Sequence, residues 1–450
     1  MAAHSVSSEA QHARMLQTPI PKLIVSLAIP TLITQLISVF YNTADTFFVS
    51  KLSTSAAAAV GVVFSLMSII QALGFGIGMG CGSIISRSLG SRDNERAVQT
   101  ASSGFVFAAF AGLLLCVTGL SFLRPLMRLL GSTETILPYS ESYARIILLA
   151  APFMCASFVL NNTLRSEGEA TLSMVGICTG GLLNVALDPL FIFVLDMGIA
   201  GAALATALSQ LVSFCILGSF FLRKRSIVRI HMRAVSKSPR VYGHILLIGL
   251  PTIFRQGFAS LSSALLNNAA AVYSDAAVAA VTISNKVYLL MRSVVLGIGQ
   301  GFQPVAGYNF GAGNKRRTRQ AFWFSALVGT VVCIAGAIVI SLFPAQIMAF
   351  FRDDADVMQI GCQALLFACA VMPFMAYSTY VNQLYQCLGF HQAATLLASC
   401  RNGLFFVPLI LVLPGLFGIT GVEMSQPAAD FLTFLVSIPF QIWFFRHKLP

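Results

Sequence analysis

The sequence repeats itself at a distance of 221 residues, and this repeat restricts the possible folds more than any other feature. In that register Pro30 aligns with Pro251 and Gly168 with Gly389, without a gap over about 140 residues. Chance rarely holds one register for so long, so the chain contains two copies of one unit. Duplicated membrane units are typical of transporters, in which the substrate path runs between the copies. Other aligned pairs are Thr31 with Thr252, Gln35 with Gln256, Gly76 with Gly297, Gly78 with Gly299, Gly80 with Gly301 and Asn161 with Asn382.

The composition places both copies in a membrane. Hydrophobic residues make up 57% of the chain and charged residues only 10%, and the mean hydropathy is +0.82. Soluble domains usually contain about 25% charged residues. The net charge of +12 does not indicate nucleic acid, because the basic residues collect in short segments between apolar runs, where they set membrane topology. The ten cysteines lie mostly within apolar runs and form no C-x-x-C pair, which favours a packing role.

The apolar runs predict an all-α polytopic membrane protein with twelve transmembrane helices. A spanning helix needs about 20 apolar residues, and each copy contains six such runs. Six is an even number, so both copies enter the membrane in the same direction and form two parallel-repeat six-helix lobes around a central cleft. The predicted spans are 23–49, 56–86, 101–123, 138–162, 171–195, 199–222, 243–271, 276–304, 320–343, 358–386, 393–414 and 418–445.

Charge then predicts domain boundaries and orientation. We expect residues 1–21 to be a disordered cytosolic tail, 22–222 the N-lobe, 223–242 a basic cytosolic linker and 243–450 the C-lobe. The linker and the alternate short loops hold most of the arginine and lysine, which favours the cytosolic side. The sequence therefore predicts a multi-pass protein of the plasma (inner) membrane with both termini in the cytosol.

A carboxylate in the first span is the first candidate for function. Asp45 shares a helix face with Asn42 and Thr46, at i, i+3 and i+4 spacing. Charged groups within apolar spans are costly and usually functional. Depth alone also allows Asp45 to lie at the outer interface, since it is about 21 residues, or roughly 31 Å of helix, from the start of its span.

The fifth span contains a stronger signal. Asn184 precedes Asp188 by one helical turn, and Pro189 removes a backbone donor and frees a carbonyl. Carboxylate, amide and carbonyl oxygens suit Na⁺, and the same carboxylate can bind a proton instead. Local capping of Asp188 is the alternative. Thr206 of the sixth span can add a hydroxyl, although a lone threonine in a membrane helix is usually a packing residue.

The second copy does not repeat this chemistry. Asp45 aligns with Leu266 and Asp188 with Leu409. Basic and neutral polar residues occur there instead, so we expect coupling in the N-lobe and a substrate path shaped largely by the C-lobe. Snorkelling or local pairing is the alternative for each basic residue. The residues predicted to line the path are Gln35, Asn42, Arg255, Gln256, Lys286, Met291, Arg292 and Asp430.

Glycine and proline mark candidate gate or hinge positions. Small residues allow helices to approach closely or unwind locally, and proline within a span bends it. Simple helix packing is the alternative explanation for the glycines. The candidate gate or hinge residues are Gly76, Gly78, Gly80, Gly297, Gly299, Gly301, Pro30 and Pro251.

Several motifs resemble those of the multidrug and toxic compound extrusion (MATE) family. The stretches 297–304 (GIGQGFQP) and 307–312 (GYNFGA) resemble its hallmark after span eight. Residues 45–49 (DTFFV) and 187–189 (LDP) resemble its first and fifth spans, and the twelve-span plan covers essentially the whole chain.

The resemblance implies a secondary antiporter that exports amphipathic, often cationic, drugs in exchange for Na⁺ or H⁺. It implies an N-lobe cation site formed by Asp45, Asn184 and Asp188, with Thr206 in the span-six position. Some branches carry an acidic group in span seven, where this chain has Arg255 and Gln256. That departure argues against a C-lobe cation site.

Other functions remain as alternatives. Related two-lobe folds move large anionic lipids, so a flippase for lipid-linked precursors, or a transporter of an anionic metabolite, is the main one. An enzyme is disfavoured because no HExxH, GxSxG or paired-aspartate motif occurs. The absence of a P-loop disfavours ATP-driven pumping by this chain alone. We therefore expect small-molecule drugs or toxic cations and membrane lipids as partners, no nucleic acid, no ATPase subunit, no structural metal and no cofactor beyond the coupling ion.

Overall fold

The computed structural model describes residues 2–352 and 354–449, and all regular secondary structure in these residues is helical. Two π-helical turns, Leu190–Val194 and Cys400–Phe405, and one 3₁₀ turn, Met232–Ala234, interrupt the α-helices. The α-helices are α1 Ala2–Gln17, α2 Ile20–Ser50, α3 Thr54–Gly90, α4 Asn94–Ser121, α5 Leu123–Leu129, α6 Leu137–Ser166, α7 Ala170–Pro189, α8 Gly198–Leu222, α9 Pro239–Ala271, α10 Asp275–Gly311, α11 Lys315–Leu342, α12 Pro344–Phe351, α13 Ala355–Cys387, α14 His391–Ser399, α15 Phe406–Phe417 and α16 Ile419–His447.

Within the described residues, twelve segments are long and apolar enough to cross a membrane, which confirms the predicted fold class. Each predicted span overlaps one of them. The π-turn at Leu190–Val194 continues α7, and the π-turn at Cys400–Phe405 joins α14 to α15, so each forms part of one span. The two longest helices, α3 and α10, have 37 residues each, and at about 1.5 Å per residue they extend beyond the hydrocarbon core.

The repeat extends to the helix ends. Ser53 and Ser274 occupy the same position in the two copies, and each side chain accepts a hydrogen bond from the first turn of α3 or α10. Gly168 and Gly389 both have positive φ, +89° and +88°, in the turn that follows α6 or α13. Side chains with a Cβ rarely adopt that conformation, so the two turns depend on glycine.

The two lobes pack reciprocally at one end of the molecule. The N-lobe comprises α2–α8 and the C-lobe α9–α16; α2 packs on α10, as α3 packs on α9. A Cβ on Gly249 would lie 2.1 Å from the carbonyl oxygen of Gly76, and one on Gly301 would lie 2.6 Å from Ala28. The backbones are therefore in direct contact. We call this the linker end, because residues 223–238 lie there and join α8 to α9.

The N-terminal segment differs from the predicted disordered tail. Ala2–Gln17 forms helix α1, which lies across the linker end and contacts both lobes. Gln11 donates to the carbonyl of Glu167 in the N-lobe at 2.8 Å, and the carbonyl of the fully buried Met15 accepts from Asn309 in the C-lobe at 3.3 Å. These contacts order a segment whose own composition is polar.

The linker is also held in place. The carboxylate of the fully buried Glu167 accepts from the Ser226 hydroxyl at 2.7 Å and from the backbone N–H of Ile227 at 2.8 Å. Ser102 and Ser103 of α4 accept from the backbone N–H groups of His231 and Ser236. The segment predicted as linker is thus an ordered strap, and α9 begins at Pro239, three residues before the predicted linker ends.

Candidate functional site: a central cavity and a buried carboxylate site

A cavity of about 430 Å³ lies between the lobes and is closed at the linker end by the α2–α10 and α3–α9 contacts. This volume is within the range of pockets that hold drug-sized ligands. Five of the residues predicted to line the substrate path do line it: Gln35, Asn42, Arg255, Gln256 and Arg292.

Three other predicted path residues lie elsewhere. On α10 the cavity-facing stripe runs through Asn285, Arg292 and Leu296, at helical spacing. Lys286 and Met291 fall off this stripe: Lys286 is exposed outside the cavity, and Met291 packs towards Gly336 of α11. Asp430 lies behind the cavity wall, where other side chains surround it.

Asp430 belongs to a buried network with Arg401, which lies in the π-turn. Arg401 donates to Asp430 through Nε at 2.6 Å and through Nη2 at 3.1 Å. Gln426 Nε2 donates to the same carboxylate at 3.0 Å, and the Tyr288 hydroxyl donates to it as well. The charges of Arg401 and Asp430 therefore balance. The sequence suggested neither the pair nor Tyr288, because their positions in three separate spans show no spacing pattern.

The four predicted cation-coupling residues converge in the N-lobe. Asn184 Nδ2 lies 3.2 Å from Asp188 Oδ1 and 3.3 Å from Thr206 Oγ1, and all three side chains are buried. Tyr143 of α6 donates from its hydroxyl to Asp45 Oδ2 at 3.4 Å, and α2, which carries Asp45, packs on α7, which carries Asp188. The group therefore joins α2, α6, α7 and α8.

Three oxygens of this site are buried without a hydrogen-bond partner in the described part of the chain: Asp45 Oδ1, Asn184 Oδ1 and Asp188 Oδ2. Unpaired buried oxygens are costly, most of all on neighbouring carboxylates. A bound Na⁺ satisfies such a set by coordination, and a proton satisfies it by neutralising one carboxylate. The residue types thus fit a monovalent cation. The π-turn begins directly after Pro189, which cannot donate to the preceding turn.

Two tyrosines that the sequence did not single out complete the site. Tyr143 is fully buried and bridges towards Asp45. Tyr41 lines the central cavity, and its ring packs against Gly181 of α7. It also lines a side chamber of about 60 Å³ inside the N-lobe, together with Gln35 and Gln210. Tyr41, one turn before Asp45 on α2, therefore lies at the boundary between the side chamber and the central cavity. The sequence placed Asn42, Asp45 and Thr46 on one helix face. In the structure Asn42 lines the cavity, Asp45 contacts Tyr143 inside the N-lobe and Thr46 is exposed.

The cavity floor is polar and crosses the lobe boundary. Arg165, only 4% exposed, donates to Gln300 of the C-lobe at 2.8 Å and also bonds to Asn162. Below it, Ser83 donates to the carbonyls of Gln386 and Cys387 at 2.9 Å. Opening the linker end must break these contacts.

The predicted gate or hinge glycines lie at helix contacts near this floor. Helices α3 and α10 are continuous through them, so none is unwound in this conformation. Pro30 and Pro251 lie within α2 and α9, one residue before the buried Thr31 and Thr252. A hinge role for these residues stays a prediction. Gly76 and Gly80 face α9, Gly297 and Gly301 face α2, Gly78 faces α6 and Gly299 faces α13.

The sequence reasoning missed the buried carboxylate of Glu167 and also a second one, in the C-lobe. Glu423 of α16 is 6% exposed, and neither of its oxygens has a partner among the residues the structure covers. It faces a chamber of about 50 Å³ that it shares with Ser284, Asn285 and Gln426. Glu423 lies four residues after the start of its helix, where depth suggests a membrane surface rather than a buried position.

Comparisons with known proteins agree with this geometry. The family described as MatE matches residues 30–190 and again residues 251–412, so its two matches begin 221 residues apart. Multidrug export protein MepA from Staphylococcus aureus (strain MSSA476) is 25% identical over 423 residues, which cover 94% of this chain and 93% of MepA.

Solved structures share the whole fold. A multidrug resistance MATE family transporter of the MOP superfamily, in an outward-facing conformation, superposes with a TM-score of 0.91 at 27% identity, covering 96% of this chain and 97% of that one. A MOP superfamily transporter from Pyrococcus furiosus, whose reverse polarity of the binding pocket suggests a different function, gives a TM-score of 0.90 at 26% identity, covering 97% and 99%.

Proposed function

We propose, from the premise that this chain belongs to the MATE family of membrane transporters, that it exports amphipathic small molecules in exchange for Na⁺ or H⁺. It is a multidrug-export-type transporter and not an enzyme. The observation that supports cation exchange is the N-lobe group of Asp45, Asn184 and Asp188. Its three unpaired oxygens lie beside, and not inside, the cavity.

We attribute the coupling of cation entry to substrate export to the separate positions of the carboxylates and the cavity. Without a cation, the carboxylates of Asp45 and Asp188 on the packed helices α2 and α7 repel each other, which favours separation of the two helices and keeps the side chamber open behind Tyr41. A bound cation removes the repulsion and draws the helices together, so the chamber shrinks and substrate leaves. Occupancy of the cavity and occupancy of the carboxylates thus exclude each other, as exchange requires.

Orientation decides which way substrate moves. We propose that the linker end, with its basic residues, faces the cytosol, that both termini lie there and that the protein resides in the plasma (inner) membrane. The cavity, closed at the linker end, then opens outward. Lipid contacts the exposed apolar side chains of the outer helices, such as Leu114, Val117 and Leu342. The ion gradient supplies the energy, so no ATPase subunit is needed.

The test is efflux from vesicles that contain the purified protein, with Na⁺ and pH gradients imposed separately. A panel of fluorescent amphiphiles of both charges keeps the result independent of substrate charge. We expect one gradient to drive efflux, Asp188→Asn to abolish it and Asp196→Asn to preserve it. Asp196 is exposed in the α7–α8 turn and serves as the matched control. Full gradient-driven efflux by Asp188→Asn would refute the coupling.

The second candidate function is movement of an anionic substrate, either a soluble metabolite or a lipid-linked precursor. The three arginines that line the cavity favour it. Vesicles that carry a fluorescent polyprenyl phosphate distinguish the two forms. Transfer of that lipid between leaflets, without efflux of any soluble amphiphile, would support a flippase instead of an exporter.

A further inference from the structure

The two walls of the central cavity have different chemistry. The phenylalanines that line it, Phe64, Phe75 and Phe158, all belong to the N-lobe. The arginines that line it, Arg255, Arg292 and Arg401, all belong to the C-lobe. Among the residues that the structure describes, no aspartate or glutamate lines this cavity. An amphipathic molecule therefore meets three phenylalanines, beside polar residues such as Gln35 and Asn42, on the N-lobe side and the arginines on the C-lobe side.

Two of the three arginines are available to a ligand. Arg401 is neutralised by Asp430, as described above. Arg255 and Arg292 form no ion pair and no hydrogen bond within the described part of the chain, although they line the same cavity as Arg401 and carry the same charge. A guanidinium in a low-dielectric site is costly without a counter-charge.

Snorkelling does not explain the two side chains. Arg255 is the seventeenth residue of the 33-residue α9, and Arg292 is the eighteenth residue of the 37-residue α10. Each is therefore about 24–30 Å along the helix axis from either end. Such a side chain cannot reach the headgroup region, so its charge must be met from within the cavity.

We propose that Arg255 and Arg292 form a binding site for the acidic headgroup of an amphipathic substrate, whose apolar body lies against Phe64, Phe75 and Phe158. The headgroup is a carboxylate, sulfonate or phosphate, which are the groups that the planar guanidinium fork binds best. Asn285 and Gln256 line the same wall and can donate further hydrogen bonds. This inference deepens the proposed export function by specifying the substrate class and its orientation.

Equilibrium binding tests this inference without any ion gradient, so its failure is distinguishable from failure of the coupling. The probes are two dansyl compounds with the same alkyl chain, one ending in a carboxylate and the other in a trimethylammonium group. Fluorescence anisotropy measures their binding to the purified full-length protein. We expect the anionic probe to bind about tenfold more tightly or better, because charge-assisted hydrogen bonds contribute at least that much.

Substitutions distinguish the residues that bind the acidic headgroup of the probe from those that bind its apolar body. Arg255→Gln and Arg292→Gln should each weaken the anionic probe about tenfold and leave the cationic probe unchanged. Arg292→Lys should recover part of the loss, since it keeps the charge but not the fork. Phe64→Ala should weaken both probes equally. Lys286→Gln, on the same helix but outside the cavity, is the matched control and should change neither.

Three outcomes would overturn the proposal. The first is tighter binding of the cationic probe, and the second is an equal loss of affinity for both probes in the arginine variants. The third is that folded wild-type protein, checked by its thermal unfolding midpoint, binds neither probe. Nanodiscs with and without a lipid-linked phosphate identify the source of the headgroup. Competition by that lipid, lost in Arg292→Gln, would assign the site to a lipid. If the lipid does not compete with the probe, the site is assigned to a soluble anion.

Discussion

Tyr143 tests the N-lobe site at the level of one hydroxyl group. It contacts Asp45 from α6, a helix that supplies none of the four predicted cation-coupling residues, and it lies near Thr206. Tyr143→Phe keeps the ring and removes the donor, so Asp45 loses its one hydrogen bond from another helix in the described structure. We expect the coupling cation to bind roughly tenfold more weakly, with little change in thermal stability.

The measurement is the concentration of Na⁺, or the pH, at which efflux is half-maximal. Tyr139→Phe, one turn earlier on α6 and exposed, should behave like the wild type. An unchanged half-maximal point in Tyr143→Phe would mean that the hydroxyl takes no part in cation binding.

For single residues, the sequence allowed us to predict functional positions only where a residue type is unusual for a membrane span. Asp188 and Asn184 stand out because a carboxylate and an amide one turn apart are rare in an apolar span. Tyr143 and Tyr41 do not stand out, since tyrosine is common near membrane surfaces. Arg401 and Asp430 become a pair only when spans eleven and twelve pack together, which sequence spacing cannot show.

At the scale of helices, the contact between α3 and α9 keeps the linker end closed. Gly249→Ala would place a Cβ 2.1 Å from the carbonyl of Gly76, so the helices must separate. Overpacking of this kind costs roughly 1–3 kcal/mol, which destabilises the closed linker end relative to the open one. We expect alkylation of Cys387, buried below the cavity floor, to become faster.

Peptide-resolved mass spectrometry measures the alkylation rate of Cys387 separately from the rates of the other nine cysteines. Gly61→Ala is the matched control, because nothing lies within 4 Å of its added Cβ. Equal alkylation of Cys387 in both variants would show that α3 and α9 do not limit opening.

Helix α1 provides a pH-dependent contact. Burial and the neighbouring Arg92 hold the pKa of His12 below its ordinary value of about 6.5. The neutral ring, with its proton on Nδ1, donates to the Tyr308 hydroxyl at 2.9 Å and accepts from Arg92 Nε at 3.3 Å. A second proton would set an N–H against Arg92. The lowered pKa means that this contact is fully stable above pH 6.5 and weakens as the pH falls through the lower, docked value.

We therefore expect α1 to undock more often in acid. Hydrogen exchange of its amides, corrected for the intrinsic rate at each pH, should show less protection at pH 5.5 than at pH 7.5. His12→Gln should remove this dependence, and His231→Gln in the linker should retain it. Equal protection at both pH values in the wild type would contradict the role of His12.

Element boundaries show where sequence reasoning stops. The twelve spans were predictable because hydrophobic length alone determines them. Helix α1 was not, because its order comes from contacts of Gln11 with Glu167 in the N-lobe and of Met15 with Asn309 in α10 of the C-lobe. The π-turns were predictable only in part: Pro189 directly precedes the first, whereas the second, which carries Arg401, has no proline before it and is followed by Pro408.

For the whole molecule, duplication specifies the architecture and leaves the chemistry of each copy free. Ser53 and Ser274 still cap equivalent helices, and Asn161 and Asn382 still bond to equivalent carbonyls at 3.2 Å and 2.6 Å. The ionisable groups of the interior have diverged instead, since Asp45 aligns with Leu266 and Asp188 with Leu409. Alignment of the halves therefore predicts which helices touch, but only the residues that break the symmetry indicate function.

The opposite charges of the two lobes have an electrical consequence. If one anion leaves by the arginine wall for each cation that enters by the carboxylates, every turnover moves two charges in the same electrical sense. Each charge contributes about 2.3 kcal/mol per 100 mV, so a potential that is negative inside adds roughly 4.6 kcal/mol to export at that voltage. A valinomycin–potassium diffusion potential, imposed on vesicles without any Na⁺ or pH gradient, should therefore accelerate efflux. An exporter of monovalent cations that exchanged them one for one would be insensitive to the same voltage.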